Sequence, residues 1–250
     1  MSQIHKILEG ESFRLLHQRY ADVPHRYLGQ ALQMRGESDP QRLEAFMDSA
    51  EEILSRFDTI EESLADSFGS GWVSIARLAY NLAVVDFARR IPAYKHVALL
   101  YERRSSKDEI IRAFLEPSVA GRESVGTISI APTRNETPNS MLYGELLEVE
   151  KSQAMNYLQV WIGRVHSTNN STQATRILGE EDTWFIENGF VEEILSVERR
   201  MGHALRDNMT VLCAYNIPKL KPEYLKQIII SHSHVILADA KMIYVAPDQA

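Results

Sequence analysis

The sequence predicts an α/β protein in which a mostly parallel sheet is flanked by helices and preceded by an all-helical N-terminal domain. Two observations carry this. Up to about Arg90 the apolar residues recur at three and four, the period of an amphipathic helix. After Pro92, short β-rich runs that are apolar almost throughout alternate with helical segments, the pattern of strands buried on both faces. The change of period places a boundary near Ile91 to Tyr94, where Pro92 helps to end the preceding helix. A helical domain over 1–92, suited to signalling or dimerisation, is then followed by an α/β domain over 93–250.

Taken in order, residues 2–20 and 25–35 read as short helices. PQRLEAFMDSAEEILSRF follows, with Leu43, Phe46, Met47, Ala50, Ile53, Leu54 and Phe57 on one stripe, Ser38 or Asp39 as cap and Pro40 at the first helical position. WVSIARLAYNLAVVDFARRI, after the break at Gly69 to Gly71, is a second long helix, and it suits packing in a bundle or against a second copy of the chain. The expected strands are HVALLYE (96–102), SVGTISIA (124–131), YLQVWIGRV (157–165), TRILGEE (175–181) and TVLCAYN (210–216). Helices are expected over SSKDEIIRAFLEPSV, NSMLYGELLEVEKSQAM, NGFVEEILSVERRMGHAL and KPEYLKQIIISH. HVILADAKMIYVAP (234–247) splits around Ala-Asp-Ala-Lys into a terminal hairpin.

Composition narrows the function. With 250 residues, 44% hydrophobic and 24% charged, the chain can build its core without disulfides or metals. A formal charge of -7 speaks against nucleic acid as the main partner, since that affinity rests on Lys and Arg neutralising phosphates. The single cysteine, Cys213, has no intramolecular partner and fits a reducing cytoplasm. The N-terminal residues carry too many charges for a signal peptide, and no run approaches the roughly 18 apolar residues of a membrane span, so a cytoplasmic protein is expected.

Ligands of α/β sheets bind at the carboxyl ends of strands. After the first strand comes Tyr101, Glu102, Arg103, Arg104, Ser105, Ser106, Lys107, without a single glycine. A phosphate-cradling loop needs glycines to turn its N–H groups inward, so a nucleotide triphosphatase is not expected. Ser105, Ser106 and Lys107 retain the means to hold one anion, although an ordinary Ser N-cap is the simpler account. Glu180, Glu181 and Asp182 end the fourth strand; if the strand continues through them, Glu180 and Asp182 face one way and Glu181 the other, which makes a strand terminus beside a pocket rather than a chelating pair. His232 and His234 would share a face if extended, but two imidazoles are too few for zinc. Cys213 on a neighbouring strand would make a Cys/His set; its simpler role is a small buried hydrophobe, so neither metal nor cofactor is expected. Tyr101, Trp161, Trp184, Phe185 and Tyr215 are aromatic residues at strand ends, suited as a set to a mostly apolar pocket.

The stretch from Thr175 to Leu237 resembles the C-terminal half of a MEDS domain, the methanogen/methylotroph and DcmR-type sensory domain. The likeness rests on Arg176, Gly179, Glu180 and Trp184, then Glu193 and Glu198, then Leu212, Cys213, Tyr215 and Asn216, and finally His232. HVALLYE adds His96, Tyr101 and Glu102, so the resemblance covers about 95–240. It implies a RecA-like fold that has lost its phosphate loop and serves as a non-catalytic sensor, with small hydrocarbon derivatives proposed as ligands. Together with Glu181 from the acidic strand end, the expected ligand-binding residues are His96, Tyr101, Glu102, Glu180, Trp184, Glu198, Cys213, Tyr215 and His232. A homodimer and a downstream signalling or regulatory protein are the expected partners beside a small organic ligand. A ligand-free scaffold, or an enzyme using Glu180 or Glu181 with Cys213 and His232, are the competing expectations.

Overall fold

The structure, a computed structural model, describes residues 70–245 except 93, 117–125, 132–139, 169–173, 205–208 and 240–241, together with 18, 19, 30, 31 and 34. In chain order the elements are β1 (Gln18–Arg19), α1 (Ser70–Arg90), β2 (His96–Tyr101), α2 (Arg104–Leu115), β3 (Gly126–Ala131), β4 (Ser140–Leu142), a 3-10 turn (Tyr143–Glu148) and α3 (Lys151–Thr168). Then come β5 (Thr175–Gly179), α4 (Thr183–Glu187), α5 (Val191–Ala204), β6 (Met209–Asn216), a 3-10 turn (Ile217–Lys219), α6 (Pro222–Ser231), β7 (His234–Leu237) and β8 (Met242–Val245). The strand order is β1-β8-β7-β2-β6-β5-β3-β4. From β7 to β4 all six strands are parallel; β8 returns antiparallel on β7, making the expected terminal hairpin, and β1 pairs antiparallel with β8.

Each central strand is buried on both faces, as its continuous apolar run requires. On one face Ala98, Leu100, Ile128, Ile177, Val211 and Tyr215 pack with α3, α5 and α6. On the other, Val97, Leu99, Leu212, Ala214 and Ile236 pack with Val84, Phe87 and Ala88 of α1 and Ile110 and Phe114 of α2. The last helix before the change of period thus shares a core with the sheet. Arg176 of β5 fastens these helices: its buried guanidinium donates to the carbonyls of Arg89 and Phe114, in the last turns of α1 and α2, where carbonyls lack helical partners.

Three expectations are corrected. YLQVWIGRV is helical, inside α3: Ala154, Met155, Leu158 and Ile162 are buried at helical spacing while Tyr157, Gln159 and Val160 are exposed. The first part of NSMLYGELLEVEKSQAM is the short strand β4 and a 3-10 turn, and helix begins only at Lys151. Gln18 and Arg19, expected in a helix over 2–20, are extended against Tyr244 and Val245. NGFVEEILSVERRMGHAL enters α5 through Gly189, whose left-handed backbone (φ 80°) suits glycine. Residues 30, 31 and 34 are helical; the helix expected over PQRLEAFMDSAEEILSRF lies outside the described residues. Among the described residues, no helix is long and apolar enough to cross a membrane.

Candidate functional site

The carboxyl ends of β2, β6 and β5 lie side by side. The turn Glu102–Arg103 leads from β2 into α2, and such a turn aims backbone N–H groups at a bound anion. Here the anion belongs to the protein. Asp239, in the turn after β7, accepts at Oδ2 from the N–H of Glu102 (2.6 Å) and Arg103 (3.3 Å), and at Oδ1 from Arg103 Nε (2.6 Å) and the Ser106 hydroxyl (2.9 Å). Burial pushes the Asp239 carboxyl upward, but these donors outweigh it and hold the group below its ordinary value. The simple Ser N-cap is therefore replaced by a carboxylate supplied from the turn after β7.

Lys107, one turn into α2, is also enclosed, at 3% exposure. Its Nζ lies 3.8 Å from both Glu180 Oε1 and Glu181 Oε2 and 5.4 Å from the centre of the Tyr101 ring. The Tyr101 hydroxyl donates to Glu181 Oε2. Burial, reinforced by that carboxylate, drives the Tyr101 phenol well above its usual range.

Glu180, Glu181 and Asp182 do not continue the strand. β5 stops at Gly179 and the three acids form a turn, with Glu180 N donating to Ile130 O (2.9 Å) and Asp182 N to Ala214 O (2.8 Å). The Asp182 carboxylate folds back over Gly179, where a Cβ would collide with it, and accepts from the Tyr143 hydroxyl at 2.7 Å. Tyr143 in turn stacks on Trp184 (centroids 5.1 Å apart) and meets Phe185 edge-on. Burial first, then the nearby Glu198 carboxylate, raises Asp182 to about 7.

A second cluster lies beneath the rim, between the sheet and helices α5 and α6. His96 opens β2, Cys213 sits on β6, Glu198 projects from α5, and His232 follows the last residue of α6. Glu198 Oε2 is 2.8 Å from His96 Nε2 and 3.4 Å from His232 Nε2, and Cys213 Sγ is 3.6 Å from His96 Nε2. Tyr215 donates to Glu198 Oε1 at 2.7 Å. Burial alone would raise the Glu198 carboxyl; the histidines and Tyr215 reverse this and bring it to about 2. Burial, with His96 next in weight, lowers His232 to about 3 and keeps its imidazole neutral. Burial and the surrounding carboxylates push the Cys213 thiol well up, which favours its protonated form.

The ten expected ligand residues thus divide. Tyr101, Glu102, Glu180, Glu181 and Trp184 are at the rim; His96, Glu198, Cys213, Tyr215 and His232 form the buried cluster. Asp182 joins the two electrostatically, since both Glu198 in the cluster and Glu181 at the rim act to raise its carboxyl. His232 and His234 do not share a face: His234 lies against Phe87 on the opposite side of the sheet. Trp161 is not at a strand end either; with Tyr157 and Val160 it lines an open groove along α3. Two residues are part of the site without having been singled out. Tyr143 is hidden in a segment that reads as helix and Asp239 in a hairpin turn; Asp182 was weighed with its acidic neighbours but not expected to bind. The signal for Asp239 is an acid two residues after the apolar run Val235–Leu237. Comparison of the chain with protein-family models, with curated proteins and with solved structures finds no match.

Proposed function

We propose that the protein is a non-catalytic sensory module on a RecA-like sheet whose nucleotide site is closed from within. The observation that carries this reading is Asp239. In a RecA-like ATPase the N–H groups after the first, central strand hold the triphosphate. Here the equivalent donors, on Glu102 and Arg103, are engaged by a carboxylate that both occupies them and repels another anion. Lys107, placed to neutralise a phosphate, is instead set between Glu180 and Glu181. The enzyme alternative loses support because the carboxylate beside Cys213 and His232 is Glu198, which is 2% exposed, while Glu180 and Glu181 serve the rim.

A small organic molecule recognised near Tyr101, Glu181 and Trp184 is the signal favoured by this reading. The pairing of Tyr101 with Glu181 and of Tyr143 with Asp182 also fits a second reading, a ligand-free scaffold working through protein contacts. Calorimetry with magnesium ATP and ADP, a phosphate-release assay, and thermal shift against small hydrocarbon derivatives separate these. The sensory reading expects no nucleotide heat, no turnover and a raised melting temperature with at least one organic compound. ATP turnover overturns the non-catalytic part, and a flat response to every compound favours the scaffold.

A further inference from the structure

We propose that His96, Glu198, Cys213 and His232 bind one divalent transition-metal ion, with zinc as the ion their chemistry selects. The four ligand atoms lie within 4.8 Å of one another, and all four residues are buried. Zinc bonds of about 2.0–2.3 Å in a tetrahedron set neighbouring ligand atoms roughly 3.3–3.8 Å apart. The observed 3.6 Å (Cys213 to His96) and 3.4 Å (His232 to Glu198) already match, and the 2.8 Å from Glu198 to His96 needs only a small opening.

Proton accounting points the same way. His232 Nδ1 is 2.6 Å from the Ile228 carbonyl, which can only accept, so this nitrogen carries the proton and Nε2 presents a bare lone pair. That lone pair has no hydrogen-bond partner and faces Glu198 Oε2 at 3.4 Å, an oxygen whose other neighbour is His96 Nε2 at 2.8 Å. Two electron-rich atoms aimed at each other in a dry interior call for a cation between them. The outer contacts are those of a metal centre: a backbone carbonyl fixes the His232 tautomer, and Tyr215 holds Glu198 Oε1, leaving Oε2 for the ion. His96 Nδ1 has no such partner among the described residues.

Charge selects a divalent ion. On binding, the Cys213 thiol releases its proton to solvent; thiolate and carboxylate then balance two positive charges, and the buried site is neutral overall. Two imidazoles, a thiolate and a carboxylate suit zinc, and four protein ligands leave no open position, the mark of a structural or sensing centre. The ligands come from β2, α5, β6 and the end of α6, so the ion would pin two helices to the sheet. This holds whether or not the rim senses an organic molecule.

The test uses the full chain, freed of any affinity tag, stripped with chelator and titrated with cobalt(II) and with zinc. About one equivalent of zinc should be retained per chain, with a rise in melting temperature. The cobalt form should show tetrahedral ligand-field bands and thiolate-to-cobalt charge transfer. Cys213 is the only cysteine, so that charge transfer has no other source. Cys213→Ser should abolish the band, and Tyr215→Phe should weaken metal affinity about 10–100-fold. His234→Asn, on the opposite face, should leave binding unchanged. Wild-type protein without the charge-transfer band at stoichiometric cobalt overturns the proposal, even where the variants fail to fold. Zinc retained undiminished in Cys213→Ser and His232→Asn overturns it as well, because the ion is then held elsewhere.

Discussion

A methyl group on Gly179 has no room, because the Asp182 carboxylate occupies that space on its way to the Tyr143 hydroxyl. Gly179→Ala should therefore displace Asp182, break this buried bond and destabilise the fold by about 1–3 kcal/mol in urea unfolding. Asp239 makes a prediction with a pH signature. Its carboxyl is held below the ordinary value, so the stability it contributes is complete above the unfolded pKa of about 3.9 and is lost as the pH falls through the folded one. Asp239→Asn should be less stable than wild type at pH 7, and the gap should close below about pH 4. A gap independent of pH in parallel denaturation curves would show that the charge on Asp239 does not matter.

At the scale of elements, Arg176 ties the ends of α1 and α2 to the middle of the sheet. Arg176→Leu removes the guanidinium from over the Phe114 ring and strands the carbonyls of Arg89 and Phe114, and should cost about 2–3 kcal/mol. Hydrogen exchange should show the loss first in the last turns of α1 and α2. Strands β2, β5 and β6 were legible in the sequence because a strand covered on both faces is apolar along most of its short length and is bounded by breaks. α3 misled because Val160 and Trp161 raise its β character, although Leu158 and Ile162 sit one turn apart on its buried face. β4, three residues on the sheet edge, is too short for any period to register.

For the whole molecule, the sheet grades from centre to rim. β2 pairs on both sides with parallel neighbours, whereas β4 and β1 are short edges. Native-state exchange should find the slowest amides in β2 and β6 and the fastest among strands in β4. The candidate site was legible only in pieces. His96, Glu198, Cys213 and His232 stand far apart in the chain and were each expected among the ligand residues, but nothing in the linear order reveals that β2 and β6 are neighbours or that α5 and α6 lean over them. Spacing instead directed attention to His232 and His234, which the sheet divides between its faces.

The placement of Cys213 in the interior of a central strand has a practical consequence. An alkylating reagent meets no other thiol on the chain and cannot reach this one while β6 keeps both neighbours. The rate at which the protein takes up such a label is then a clock for the opening of its innermost layer, needing neither an engineered cysteine nor a denaturant.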